Sequence, residues 1–305
     1  MNDGVFFYAN EGSRRAAGEF NSALEALENA GIVFEEAKLC ADHQELNDLV
    51  KSRTAAGAKV VFVGGGDGTL GSVSEHFLRS ETIFGAVPLG TGNQFAREVG
   101  IPNDLGAAAA CLAAGRVAAL DVGMCNDQGF LTVATMGLTT EIARGLVAKG
   151  VLGKASYGPA VLKAMQKVEP FHVEIVGGSE TITGEMIQVV VCNGRTHAGP
   201  FLASPDATIT DGMFDVYSLK PMSFGEMVGT GVLALAGKHT EVEEVDWMKT
   251  STLSITTQPK IPVVLDGEEI WFDTLEFRVE KAGIKAIVGP DFRVPQERIS
   301  SVSFA

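Results

Sequence analysis

Through the first third of the chain, apolar residues fall in short blocks separated by amphipathic stretches. Val5 to Tyr8 is a compact apolar run, long enough for a buried strand. Phe20, Ala23, Leu24 and Leu27 then recur at helical spacing and predict a helix over 13–30, closed by Gly31. Ile32-Val33-Phe34 begins a second strand, and 46–53 reads as a second helix. Val60 to Val63 is a third strand, followed by Leu70, Val73 and Phe77 on one helical face. Ile83 to Leu89 is a fourth strand, 94–99 carries a helix signal, and 105–114 is an alanine-rich helix. This alternation predicts an α/β domain built on a doubly wound parallel sheet.

Near Ala118 to Val122 the texture changes. Strand-like segments dominate from there to Gly289: 171–176, 186–192, 214–219, 253–256, 261–265 and 275–279. In the last of these, Leu275, Phe277 and Val279 alternate with polar residues. Helical inserts are expected at 155–168 and 224–236. Many short strands with turn signals predict a β-sandwich-like domain. The expected organisation is an α/β domain over 1–120 and a β-rich domain over 121–289, with a final segment, 292–305, after the last strand.

Composition narrows the function classes. The 305 residues are 46% hydrophobic and 20% charged, enough to bury a core. Lys and Arg number 24 against 38 Asp and Glu, a net charge of −14. That argues against a nucleic-acid partner and against broad adsorption to anionic membranes. Cys40, Cys111, Cys125 and Cys192 stand singly, without CxxC spacing, and read as buried free thiols in a reducing compartment. The sequence opens without a basic-then-apolar leader, and 227–237 is too short and glycine-rich to span a bilayer. A soluble, cytoplasmic protein is expected.

The chemistry concentrates in two glycine turns. Gly64-Gly65-Gly66-Asp67-Gly68-Thr69 joins the third strand to its helix, and Gly90-Thr91-Gly92-Asn93 follows the fourth. Glycines let backbone approach a ligand, and a helix N-terminus offers N–H groups to an anion. Asp67 adds the hard oxygen that a phosphate-bound Mg²⁺ takes. Asp-Gly is also a hairpin signal, and a plain strand-to-helix turn capped by Asp or Thr is a further reading. Two such turns, each at the carboxyl end of its strand and separated by one helix and one strand, could face each other across one crevice. Neither GxGxxG nor GxxxxGK[ST] is present.

Taken in order, these markers resemble the soluble bacterial diacylglycerol kinase-type lipid kinases, which share a catalytic module with sphingosine and ceramide kinases. NAD kinases and phosphofructokinases share the GGDGT turn more distantly. The likeness runs from Gly65 to Thr69, through Pro88 to Asn93 and Gly153 to Tyr157, to Asp211 to Val216 and Leu265 to Glu268. It implies a phosphofructokinase-like nucleotide domain that the C-terminal tail 290–305 rejoins, a C-terminal β-sandwich, ATP as phosphoryl donor and Mg²⁺ as cofactor. It implies that Gly65, Gly66, Asp67, Gly68, Thr69, Leu70 and Gly71 wrap the ATP phosphates, with Thr91 also touching the nucleotide. Asp67 would organise the Mg²⁺, and Glu268 would accept the proton of the attacking hydroxyl. A structural Mg²⁺ is implied at Asp211, with the carbonyls of Thr208 and Met213. The acceptor is then a lipid-like small molecule, met by transient contact with a membrane surface.

Residue by residue, blander readings stand beside these. Glu268 follows a hairpin turn, Asp211 sits in a turn-forming Asp-Gly, and Lys154 and His197 read equally as surface residues. Several positions depart from the family pattern: Gln94 and Thr139 where Asp is usual, Gly71 and Ser72 where Asn and Glu are, and Ala9 to Ser13 without Asn-Pro. Two alternatives to a lipid kinase follow: a kinase of a soluble nucleotide or sugar, and a nucleotide-binding regulatory protein that has lost catalysis.

Overall fold

The computed structural model describes residues 4–13, 15–138, 140, 168–195, 207–235 and 242–304. Of the helix expected at 155–168, residues 155–167 lie outside them, as do Thr139, Lys154 and His197. The chain divides into two compact units. The first comprises Met1–Thr132, Thr208–Gly212 and Glu280–Ala305, the second Val133–Ala207 and Met213–Val279.

In the first unit, β1 (Val5–Asn10), α1 (Ala16–Asn29), β2 (Glu36–Cys40), α2 (His43–Ala55), β3 (Val60–Gly65), α3 (Asp67–Ser74), β4 (Ile83–Pro88), α4 (Gln94–Glu98) and α5 (Leu105–Ala113) alternate along the chain. The strands pair in parallel in the order β2-β1-β3-β4. Strand order therefore reverses between β1 and β3, which lie side by side with Ala9 opposite Gly64. In an open α/β sheet, that reversal opens a crevice at the strands' carboxyl ends. Both central strands are buried along nearly their whole length, which explains their unbroken apolar runs. Helix α1 covers them with Ala16, Phe20, Ala23 and Leu27, and Phe7 stacks on Phe20.

Two boundaries differ from the sequence reading. Helix α1 starts at Ala16 rather than at residue 13, because the Ser13 side chain is turned to the glycine loop described below. The second strand starts at Glu36, not Ile32. Ile32 donates its N–H to Leu27 O at the helix end, and Val33 is exposed, so 32–35 is a connection whose apolar residues misled the pattern. β5 (Arg116–Cys125) pairs antiparallel with β6 (Gln128–Phe130) and with the tail strand β17 (Ile299–Ser301).

The second unit contains a six-stranded antiparallel sheet in the order β12-β11-β10-β7-β14-β15. Its members are β7 (Val133–Gly137), β10 (Gln188–Cys192), β11 (Phe214–Leu219), β12 (Val245–Thr250), β14 (Val263–Leu265) and β15 (Glu268–Ile270). A second antiparallel layer is made by β8 (Phe171–Gly177), β9 (Glu180–Met186), β13 (Thr252–Gln258) and the start of β16 (Leu275–Ile287). Phe214 and Phe277 meet edge-on at 6.3 Å, one from each layer, inside the sandwich. Strand β8 alternates buried Phe171, Val173 and Ile175 with outward His172, Glu174 and Val176. Helix α6 (Phe224–Leu235) packs Met227 against Leu138 and Ile187. Strand β16 runs on into the first unit, where Lys285 and Ala286 pair in parallel with Ile83 and Phe84 of β4.

Candidate active site

The two glycine turns leave adjacent parallel strands at the same level: Gly65 ends β3 opposite Pro88, which ends β4. Gly65 O accepts the Leu89 N–H at 3.1 Å, so pairing continues up to the turns. Beyond it the backbones almost touch. A Cβ on Gly90 would lie 2.3 Å from the Gly66 Cα and 3.0 Å from its nitrogen. A side chain at Gly90 would force the turns apart, whereas a Cβ on Gly66 would meet only the Gly90 Cα, tightly, at 3.3 Å.

Asp67 ties the turns together. It opens α3, whose N-cap is Gly66 with no side-chain cap, so the capping-Asp reading does not apply to its own helix. Its Oδ1 instead accepts the Phe95 N–H at 2.9 Å, capping the neighbouring α4 from outside. That helix needs the help, because its own N-cap, Asn93, is left-handed with φ 49° and makes no side-chain cap. The Asn93 side chain is turned inward, accepting the Gly90 N–H at 2.8 Å and donating to Asn103 Oδ1 at 3.0 Å. Burial pushes the Asp67 carboxyl above the usual aspartate range, against the pull of the Phe95 and Gln94 N–H groups and the Arg97 charge.

A third loop joins from β1, across the switch point. Ser13 Oγ lies 3.0 Å from Thr69 Oγ1, and Arg15, paired with Glu19, reaches Gly90 O at 3.5 Å. The fold thus brings together Gly65, Gly66, Asp67, Gly68, Thr69 and the Gly90–Asn93 turn, with Thr91 exposed at its rim. Leu70 and Gly71 lie inside α3 and are buried, with the Leu70 N–H bonded to Gly66 O, so they shape the loop from behind. The pattern reading missed Ser13, Arg15 and Asn93. The signal for Asn93 was its residue type, since Asn tolerates left-handed backbone.

In the second unit, Asp266 and Gly267 have φ 48° and 101°, the two positive angles of a mirror-image hairpin turn between β14 and β15. Asp266 is buried and accepts the Val133 N–H at 3.0 Å, which fixes the hairpin to β7. Glu268 follows as the first residue of β15, exposed.

Comparison with known proteins agrees with this architecture. The diacylglycerol kinase catalytic domain matches residues 4–125, and the YegS C-terminal NAD kinase beta sandwich-like domain matches 134–285. A Klebsiella pneumoniae (strain 342) protein named "Probable lipid kinase YegS-like" is 32% identical over 240 residues, 76% of this chain and 79% of that protein. A Bacillus subtilis (strain 168) diacylglycerol kinase is 29% identical over 214 residues, 68% of this chain and 71% of that protein. A crystal structure of a Bacillus anthracis str. Sterne diacylglycerol kinase superposes with a TM-score of 0.72 at 19% identity, covering 95% of this chain and 98% of that one.

The chain belongs to the diacylglycerol kinase/YegS-like family of lipid kinases. Among the described residues of this lipid kinase, no helix is long and apolar enough to cross a membrane. Nor do three His, Cys, Asp or Glu side chains come together among them in a group that could hold a metal ion. At the glycine turns the donor set suits Mg²⁺ arriving on a phosphate: the Asp67 carboxylate, and Gln94 Oε1, a buried acceptor with no hydrogen-bond partner. In the loop 208–213 the donors are also hard oxygens. Asp211 donates its N–H to Thr208 O at 3.2 Å, and the Thr208 and Thr210 hydroxyls lie 3.0 Å apart.

Two outcomes follow for this lipid kinase. Gly90→Ala pushes a methyl into the Gly66 backbone, so chemical denaturation should show a loss of about 1–3 kcal/mol. Folded Asp67 binds its proton more tightly than the unfolded chain does. Its stabilising contribution is therefore complete below the ordinary aspartate range and is lost as pH rises through the raised value. At neutral pH the ionised form costs stability. Asp67→Asn should then melt at or above the parent temperature near pH 7 without nucleotide, and the advantage should shrink on acidification. A collapsed melting temperature would mark the α4 cap as the dominant role of Asp67.

Proposed function

We propose that the protein is an ATP- and Mg²⁺-dependent kinase that transfers the γ-phosphate to a hydroxyl of a lipid-like acceptor of the diacylglycerol or sphingoid type. The observation that carries this reading is the meeting of two glycine turns at a sheet's switch point, with one half-buried carboxylate between them. Phosphoryl transfer passes through a loose transition state, so the protein's task is positioning and charge neutralisation. Glycine backbone and the first turn of α3 would cradle the phosphate chain, with Thr69 and Thr91 as hydroxyl contacts. Asp67 and Gln94 would hold the Mg²⁺ that neutralises phosphate charge. Asp211, with the Thr208 and Met213 carbonyls, would hold a second, structural ion.

Glu268 would take the proton from the attacking hydroxyl. Its support is its place at the head of a hairpin fixed by a buried aspartate, where its carboxylate is exposed. Trp271, three residues on, is 60% exposed. An exposed indole beside the proposed base suits the interface of a bilayer that presents the acceptor. The net charge of −14 favours a neutral surface over an anionic one.

Transfer of labelled phosphate from ATP to a panel of diacylglycerols, sphingoid bases, nucleosides and sugars tests the reaction. Glu268→Gln should slow it by about 10²–10⁴-fold, and unchanged transfer rejects Glu268 as base. ATP binding without transfer to any acceptor favours the regulatory alternative. In co-sedimentation, Trp271→Ala should weaken binding to phosphatidylcholine vesicles containing diacylglycerol. Equal binding by parent and variant at low salt counts against the membrane contact.

A further inference from the structure

Asp121 lies in β5, and its side chain is 1% exposed. Three stretches far apart in sequence converge on it. Gly212 N–H donates to its Oδ2 at 2.6 Å, while Ala282 N–H and Arg298 Nη1 donate to its Oδ1, both at 2.7 Å. The Asp121 N–H itself donates to Ile209 O at 2.9 Å. Two of these four bonds grip the loop 208–212 at Ile209 and Gly212, either side of Asp211. On its other side the loop is covered: a Cβ on Gly212 would lie 2.4 Å from the Lys281 Cε. Asp211 is thus presented by backbone held from β5, and the carboxylate that does the holding is balanced by a cation from the C-terminal tail.

We infer that Arg298 is a positioning residue for the Asp211 loop. The tail, through Asp121, sets where the loop's oxygens stand. A buried carboxylate can keep two backbone N–H groups in fixed directions only while its charge is compensated. Without the guanidinium, Asp121 must draw in water to replace the lost partner, and the Gly212 bond loosens. The inference rests on the reading of Thr208, Asp211 and Met213 as a structural cation site for its functional consequence, though not for the loop geometry itself.

The experiment uses the full chain without nucleotide. Amide hydrogen exchange reports the Gly212 N–H, and Mn²⁺ titration followed by electron paramagnetic resonance reports the cation site. Arg298→Gln should raise exchange over 208–212 and weaken Mn²⁺ binding by about 10–100-fold, as loss of an outer-sphere partner does. Arg298→Lys, which keeps the charge, should restore both in large part. If Arg298→Gln fails to fold, the charge-neutral Asp121→Asn/Arg298→Gln variant takes its place with the same expectation. Parent-like exchange and parent-like Mn²⁺ affinity in the neutralised variant overturn the inference. Asp211→Asn is the separate control. If it binds Mn²⁺ as the parent does, the cation-site reading fails while hydrogen exchange alone still decides the role of Arg298.

Discussion

The buried carboxylate of Asp121 is the constraint on which the first unit depends. That unit is assembled from three separate lengths of chain, and each of the later two ends on this side chain. Removing one partner of such a pair is destabilising, because the buried charge left behind has lost its counter-charge. The neighbouring bonds share the load. Arg116 donates to Gly289 O at 2.9 Å, β17 extends the β5 ladder, and Phe304 packs on Phe62. The C-terminal tail is therefore a working part of the nucleotide-domain fold.

A second economy lies in the glycine turns. Parallel strands that reverse their order at β1/β3 leave a crevice with three loops around it, and backbone amides can converge there only if side chains stay out. Gly66 and Gly90 meet that condition by near contact. Asp67 meets the opposite need, supplying charge in a place that burial makes unfavourable for it. A raised carboxyl affinity for protons marks a side chain retained at a cost in stability.

Much of this was legible in the residue pattern. The β/α alternation, the two glycine turns, the alternating strand 275–279 and the Asp-Gly hairpin all follow from local physics: period, turn chemistry and backbone freedom. Family resemblance, carried by the motifs from Gly65 to Glu268, named the class that the domain comparisons then established. The strand expected at Ile32 failed because three apolar residues in a row fit a connection as well as a strand, and only pairing with β1 decides between them.

By itself, then, the sequence determined most of the elements and the turns, since each depends on neighbours along the chain, and its motifs carried the resemblance that named the kinase class. Tertiary structure alone decided that Asp67 caps α4 rather than its own helix, that Asn93 turns inward to close the second turn, and that Asp121 gathers residues 91, 161 and 177 positions away. The reason is physical. A buried polar atom must find a partner wherever the fold brings one, and no local rule of spacing encodes which distant N–H or guanidinium arrives there.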